Sequence, residues 1–373
     1  KYDGTITNTV TYPLTRALYG LRIRQPIGGD FGVSGDLVRH SLEQDDWTDD
    51  ISKFGIDIWM TTKAITGGFA VCQTRLGAKI HDPKDPGADL GPMFSQVVST
   101  VLRLTVEHAD QWLGVNGSHA VPTYGFERYA DPPPLDVDVP RLLGAFARGR
   151  VALGDAWELL VAPARMAALD SLALEAGTVL DEITRADTPT DERDVEFYFP
   201  DDLWSRIVYD LALTARGSTM DMDRMIAALV PIYFGRVASL VIEARDLSTQ
   251  QAETLVERQA RAYELAKGSF VERWRAGEGV KARKPRRRAS DRSKPRSGKS
   301  GSGSTTTNTR GAKAAAGTSG AKGTKGTKAA TKTGSKPDTK TGSKAGSKPA
   351  TKTDGKRAVK GQTGSRPSKS KQA

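Results

Sequence analysis

The chain has 373 residues and a net charge of +11. Residues 281–373 hold 27 of the 55 Lys and Arg residues but only three of the 44 acids, so this segment carries +24 and the remainder −13. The basic character therefore belongs to a tail rather than to the body, as expected for a folded domain with a charged arm. The single cysteine, Cys72, excludes an internal disulfide and suits a reducing, cytoplasmic setting. No uninterrupted apolar run reaches the roughly 18 residues of a membrane span, and no signal peptide is visible.

In chain order, Thr5–Leu18 is expected to be helical, with Ile6, Val10, Leu14 and Leu18 on one face and Pro13 awkwardly inside it. Leu21–Pro26 reads as a short strand ahead of Gly28 and Gly29. Val33–His40 reads as a short helix. Ile56–Thr66 is a helix stopped by Gly67 and Gly68. Phe69–Ile80 is expected to be a strand pair or a bent strand, and Met93–Trp112 a long amphipathic helix. From about Pro140 to Gly277 the pattern is helical almost throughout. Its helices are expected at Asp155–Ile183, Asp202–Arg216, Met220–Ala244 and Thr249–Trp274, with Pro163 and Pro231 breaking or kinking two of them. Alternation of strands and helices followed by a helical block suggests an α/β domain over 1–130 and a helical domain over 140–280.

Residues 281–373 contain no aromatic residue, no Leu, Ile or Met, and one Val, Val359. Such a segment buries too little apolar surface to offset chain entropy and is expected to be disordered. Near-repeats such as TKTGSKP and TKTGSKA run through it. The composition resembles the lysine-rich tails of linker-histone-like bacterial proteins. A flexible arm of this charge binds nucleic acid or another polyanion through phosphate neutralisation, without reading sequence.

Three clusters are candidates for chemistry. In Gln25-Pro26-Ile27-Gly28-Gly29-Asp30, paired glycines let backbone approach a ligand and Asp30 can hold hydroxyls. A tight turn with Asp30 as a helix cap explains the same residues. In Phe54-Gly55-Ile56-Asp57-Ile58-Trp59, Asp57 stands among apolar residues, where a carboxylate needs a partner or a ligand. A first-turn acid facing the helix dipole explains it equally well. In Lys79-Ile80-His81, the histidine ends an apolar run; one imidazole suits a divalent metal but makes no site alone. Asp221-Met222-Asp223 has the form of a metal-binding Asp-x-Asp, but it precedes an apolar helical run. It is expected to be a helix start, capped by Ser218 or Thr219 with the acids in the first turn.

The order of Gly-Gly-Asp, Gly-Ile-Asp and Lys-Ile-His resembles the second half of retaining GT-A glycosyltransferases of the mannosylglycerate synthase and glucosyl-3-phosphoglycerate synthase type. The likeness covers roughly Tyr2 to Val115 and includes Gly91-Pro92-Met93-Phe94-Ser95-Gln96. It implies the C-terminal half of a Rossmann-like GT-A domain, followed by the helical domain and the tail. It implies transfer of a sugar, with retention, from a nucleotide-diphosphate sugar to a small hydroxy acid. By resemblance, His81 is a ligand of Mg²⁺ or Mn²⁺, and the metal neutralises the diphosphate leaving group. Asp57 touches the transferred sugar and acceptor, positioning them and stabilising charge. Gly28, Gly29 and Asp30 line the sugar pocket, and Lys79 lies beside the diphosphate or sugar. Thr5 and Thr7 fall on the acceptor-binding stretch, where phosphoglycerate-using members carry Gly-Gly-Arg-x-Thr. Thr5 stands in place of that arginine and cannot make its bidentate phosphate contact, so a glycerate-like acceptor without the phosphate is expected. The nucleotide-binding half with its Asp-x-Asp would lie upstream of Lys1, so the chain is expected to be the C-terminal part of a longer enzyme. Self-association is left open.

Overall fold

The computed structural model describes residues 4–76, 91–126, 137–185, 195–217 and 220–278. These residues are 70% helical and 3% strand, so helix packing decides the architecture. All of them fall in one compact unit, residues 1–293. Lys79, His81, Ser218, Thr219 and the basic tail lie outside the described residues.

The first helix shows why the chain folds as it does. A π-helical turn, Thr7–Thr11, runs directly into α1, Tyr12–Tyr19. Pro13 sits in the first turn of α1, and its missing N–H leaves the Thr9 carbonyl without its helical donor. That carbonyl instead accepts from Trp204 Nε1 at 2.8 Å and from Tyr263 Oη at 2.9 Å. The proline that looked misplaced in sequence thus creates the acceptor that anchors the N-terminal helix to two later ones.

Next come β1 (Leu21–Arg22), α2 (Gly35–Leu42), α3 (Ile56–Thr66) and β2 (Gln73–Thr74). They are followed by α4 (Gly91–Glu107), α5 (Ala109–Trp112), β3 (His119–Ala120) and β4 (Thr123–Tyr124). β1 pairs in parallel with β3, and β2 in parallel with β4. Of the described part of the longer strand expected from Phe69 onward, only Gln73 and Thr74 pair.

The helical block is α6 (Val139–Leu160), α7 (Pro163–Arg185), α8 (Asp201–Gly217), α9 (Met222–Ala244) and α10 (Thr249–Arg275). The helix expected at Asp155–Ile183 is two helices, broken at 161–162. Pro163 starts α7 rather than kinking it, a position where its lost N–H has no helical partner in any case. The stretch is a helix start, but the N-cap position of α9 falls on Asp221 rather than on Ser218 or Thr219, and only Asp223 lies in the first turn. α9 is long and apolar enough to cross a membrane by length and composition, yet 72% of that stretch is buried within the fold. Apolar over most of its surface, it is a core helix packed chiefly against α6 and α4.

The expected boundary at 130–140 does not separate two cores. One apolar cluster joins Val10, Leu14, Phe94 and Leu102 to Phe146, Trp204, Tyr233 and Phe270. Phe94 of α4 stacks on Tyr233 of α9 with ring centroids 4.2 Å apart. A ladder of charges reinforces the join. Glu253, Glu257 and Glu264 on α10 receive Arg24 and Arg16, with Arg16 only 4% exposed. Lys267 of α10 donates to the carbonyls of Leu18 and Val115 at 3.1 and 2.7 Å, closing the ends of two helical segments.

Candidate active site

The Gln25–Asp30 segment is a turn: Gly28 N–H donates to Gln25 O at 3.1 Å, and Gly29 has φ of +76°. That dihedral is accessible to glycine at no steric penalty. Asp30 is exposed just beyond it. The turn is fixed at two points. The Pro26 carbonyl accepts from Thr61 Oγ1 of α3 at 2.7 Å. The Arg24 N–H donates to Gln73 Oε1 of β2 at 3.1 Å, and Gln73 Nε2 donates to Thr123 Oγ1 at 2.9 Å.

Thr61 lies one helical turn after Asp57, and residues four apart share a helix face. The segment just ahead of the glycine turn is therefore held at α3 one helical turn after Asp57. Asp57 is half-buried in the first turn of α3, while Ile58 and Trp59 behind it are 2% and 1% exposed. Acid near the positive end of a helix is favoured there. The start of α3 is held against α4. A Cβ placed on Gly55 would meet Thr100 Oγ1 at 2.3 Å and Asp50 O at 2.7 Å. Phe54 N–H reaches Gln96 Oε1 at 3.3 Å, and Ser99 Oγ reaches Asp50 Oδ2 at 2.5 Å.

The opposite side of α3 carries a charged brace that sequence reasoning missed. Lys63, 2% exposed, contacts Asp46 at 2.9 Å and Glu107 at 2.6 Å. Burial pulls its pKa down, but the hydrogen bonds to Glu107 and Asp46 outweigh that and hold it above its ordinary value. Asp46 also accepts from Trp59 Nε1 at 3.0 Å, and these donors keep it below the usual carboxylate range despite burial. Burial lowers the pKa of neighbouring His108. The brace clamps the acidic 43–55 segment onto α3 and α4. Its sequence signal was a lysine at i+4 from Trp59, the one basic residue of α3.

The structure thus ties the segment just ahead of Gly28, Gly29 and Asp30 to α3, the helix of Asp57, through Thr61, and to β2 through Gln73. It does not bring Thr5 and Thr7 to that surface. They are 1% and 3% exposed, and Thr5 Oγ1 lies 2.6 Å from Tyr233 Oη in the core. Helices α8, α9 and α10 enclose this stretch, so both threonines support the fold rather than line an open pocket. Among the described residues no group of three or more His, Cys, Asp and Glu side chains is placed to hold a metal ion. No family model, no curated protein and no solved structure matches the chain.

Proposed function

We propose that the chain is the acceptor-side part of a retaining glycosyltransferase, moving a sugar from a nucleotide-diphosphate sugar to a small, glycerate-like hydroxy acid. The observation that carries the reading is the Thr61–Pro26 hydrogen bond. It ties the segment just ahead of the Gly-Gly-Asp turn to α3, the helix that carries Asp57, and in this reading the two clusters, 27 residues apart in sequence, serve one surface.

In this reading Asp30 binds sugar hydroxyls and Gly28 and Gly29 let the sugar ring approach backbone. Asp57 orients sugar and acceptor and stabilises positive charge developing at the reacting carbon. Exposed Phe31 and Phe54 flank Asp30 and Gly55, and an aromatic face next to polar groups suits a sugar ring. Lys79 and His81 keep the roles that the resemblance implies, at the diphosphate and at Mg²⁺ or Mn²⁺.

The test is a transfer assay on the full-length gene product with a panel of sugar nucleotides and glycerate. Asp57→Asn is expected to lower kcat about 10²-fold or more with an unchanged unfolding midpoint. Equal turnover in Asp57→Asn and the parent would refute the assignment.

A further inference from the structure

A second site lies away from the glycine turn, in a cleft between α7, α8 and α10. It is a shallow cleft open to solvent, lined by Arg165, Arg206, Ser269 and Arg273 over a floor of Tyr209, Ala266 and Phe270. The floor is dry: Tyr209 and Phe270 stack at 4.3 Å and are each 2% exposed. No acidic residue lines the cleft.

Behind it sits Asp210, fully buried. Its Oδ2 accepts from Ala162 N–H at 2.9 Å and Arg165 Nε at 2.7 Å. Its Oδ1 accepts from Arg273 Nη1 at 2.6 Å and from Arg165 Nη2. One carboxylate with its lone pairs filled thus orients two guanidiniums and balances one of them. Arg206 meets Asp202 through Nε, and Arg273 Nε reaches Glu278 at 3.3 Å; both acids sit outside the cleft and are 62% and 53% exposed. Arg165 Nη1, Arg273 Nη2 and both terminal nitrogens of Arg206 make no hydrogen bond to the described residues, and neither does Ser269 Oγ. Arg165 also stands in the first turn of α7, whose positive end adds to the field. Guanidinium N–H groups over an apolar floor bind oxyanions more strongly than in water, because the field is less screened.

We propose that this cleft binds a phosphate group, either free phosphate or a phosphomonoester. Guanidiniums drawn from three helices suit a tetrahedral anion better than a planar carboxylate, which one arginine fork satisfies. The site is independent of the glycosyl-transfer reading.

The experiment titrates the full chain with inorganic phosphate and with phenyl phosphate by calorimetry, at constant ionic strength. Acetate is the carboxylate control. The basic tail also attracts phosphate, so the readout is the difference between the parent and Arg206→Gln/Ser269→Ala, which share that tail and leave Asp210 and its partners untouched. A loss of about tenfold in phosphate affinity in the double variant is expected, with circular dichroism unchanged. Binding of phenyl phosphate with the same loss assigns the site to esters; its absence assigns the site to free phosphate. Equal phosphate affinity in parent and variant, no saturable binding, or acetate binding as tightly as phosphate would overturn the proposal.

Discussion

At the scale of single residues, the fold turns on polar groups in apolar places. Trp204 and Tyr263 serve the Thr9 carbonyl that Pro13 leaves open, so Trp204→Phe is expected to lower stability by about 1–3 kcal/mol in urea unfolding. Lys267 is 7% exposed, and burial pushes its pKa from 10.5 down to about 8. Between those values the unfolded chain holds a proton that the folded chain has released. Lys267 therefore makes stability rise with pH across this window; its destabilising contribution is full below about 8 and gone above 10.5. The rise is at most about 3 kcal/mol, and it is expected to vanish in Lys267→Met when unfolding is measured at pH 8 and pH 10. Tyr12 is pushed up to about 12 by burial, and burial likewise raises Tyr19, Tyr209, Tyr233 and Tyr263. Their effect has the opposite sign and begins where tyrosine ionises in the unfolded chain, so the lower window belongs to Lys267. None of this was legible in sequence, because each pairing joins residues far apart in the chain.

At the scale of elements, sequence periodicity located α3 at its observed bounds and α8, α9 and α10 to within two residues. Capping chemistry explains part of that success: Ser248 and Gln251 close a capping box at the start of α10. It failed at α6, whose Gly144, Gly149 and Gly154 weaken any helical reading. Packing supplies the reason for one of them. A Cβ on Gly149 would lie 2.3 Å from the Pro231 side chain of α9, so the glycine permits the close α6–α9 contact. Gly149→Ala is expected to destabilise by about 1–3 kcal/mol through overpacking, whereas alanine at Gly177, whose nearest Cβ neighbour is 3.9 Å away, is expected to be neutral or stabilising; thermal unfolding of the two variants checks this. The candidate site was partly legible for the same reason. Asp57 and Thr61 share a face by spacing alone, but the Pro26 carbonyl that meets Thr61 comes from 35 residues earlier.

At the scale of the molecule, residues expected to form two domains pack around one core, because Thr5, the Thr9 carbonyl and Arg16 of the N-terminal helical stretch find their partners on α8, α9 and α10. Composition could not reveal that join, since its partners lie more than 190 residues apart. The tail is a separate matter of charge. Deleting residues 281–373 is expected to abolish salt-dependent retention on double-stranded DNA, checked by filter binding across ionic strength, while leaving the unfolding midpoint of the body unchanged. The central claim concerns the body. The most direct measurement is proton NMR of the products formed when the full-length gene product is incubated with sugar nucleotides, Mg²⁺ or Mn²⁺, and glycerate. A glycoside with the donor's anomeric configuration, formed on glycerate in preference to 3-phosphoglycerate, is the predicted result. An unconsumed donor across the panel, or a product of inverted configuration, would contradict it.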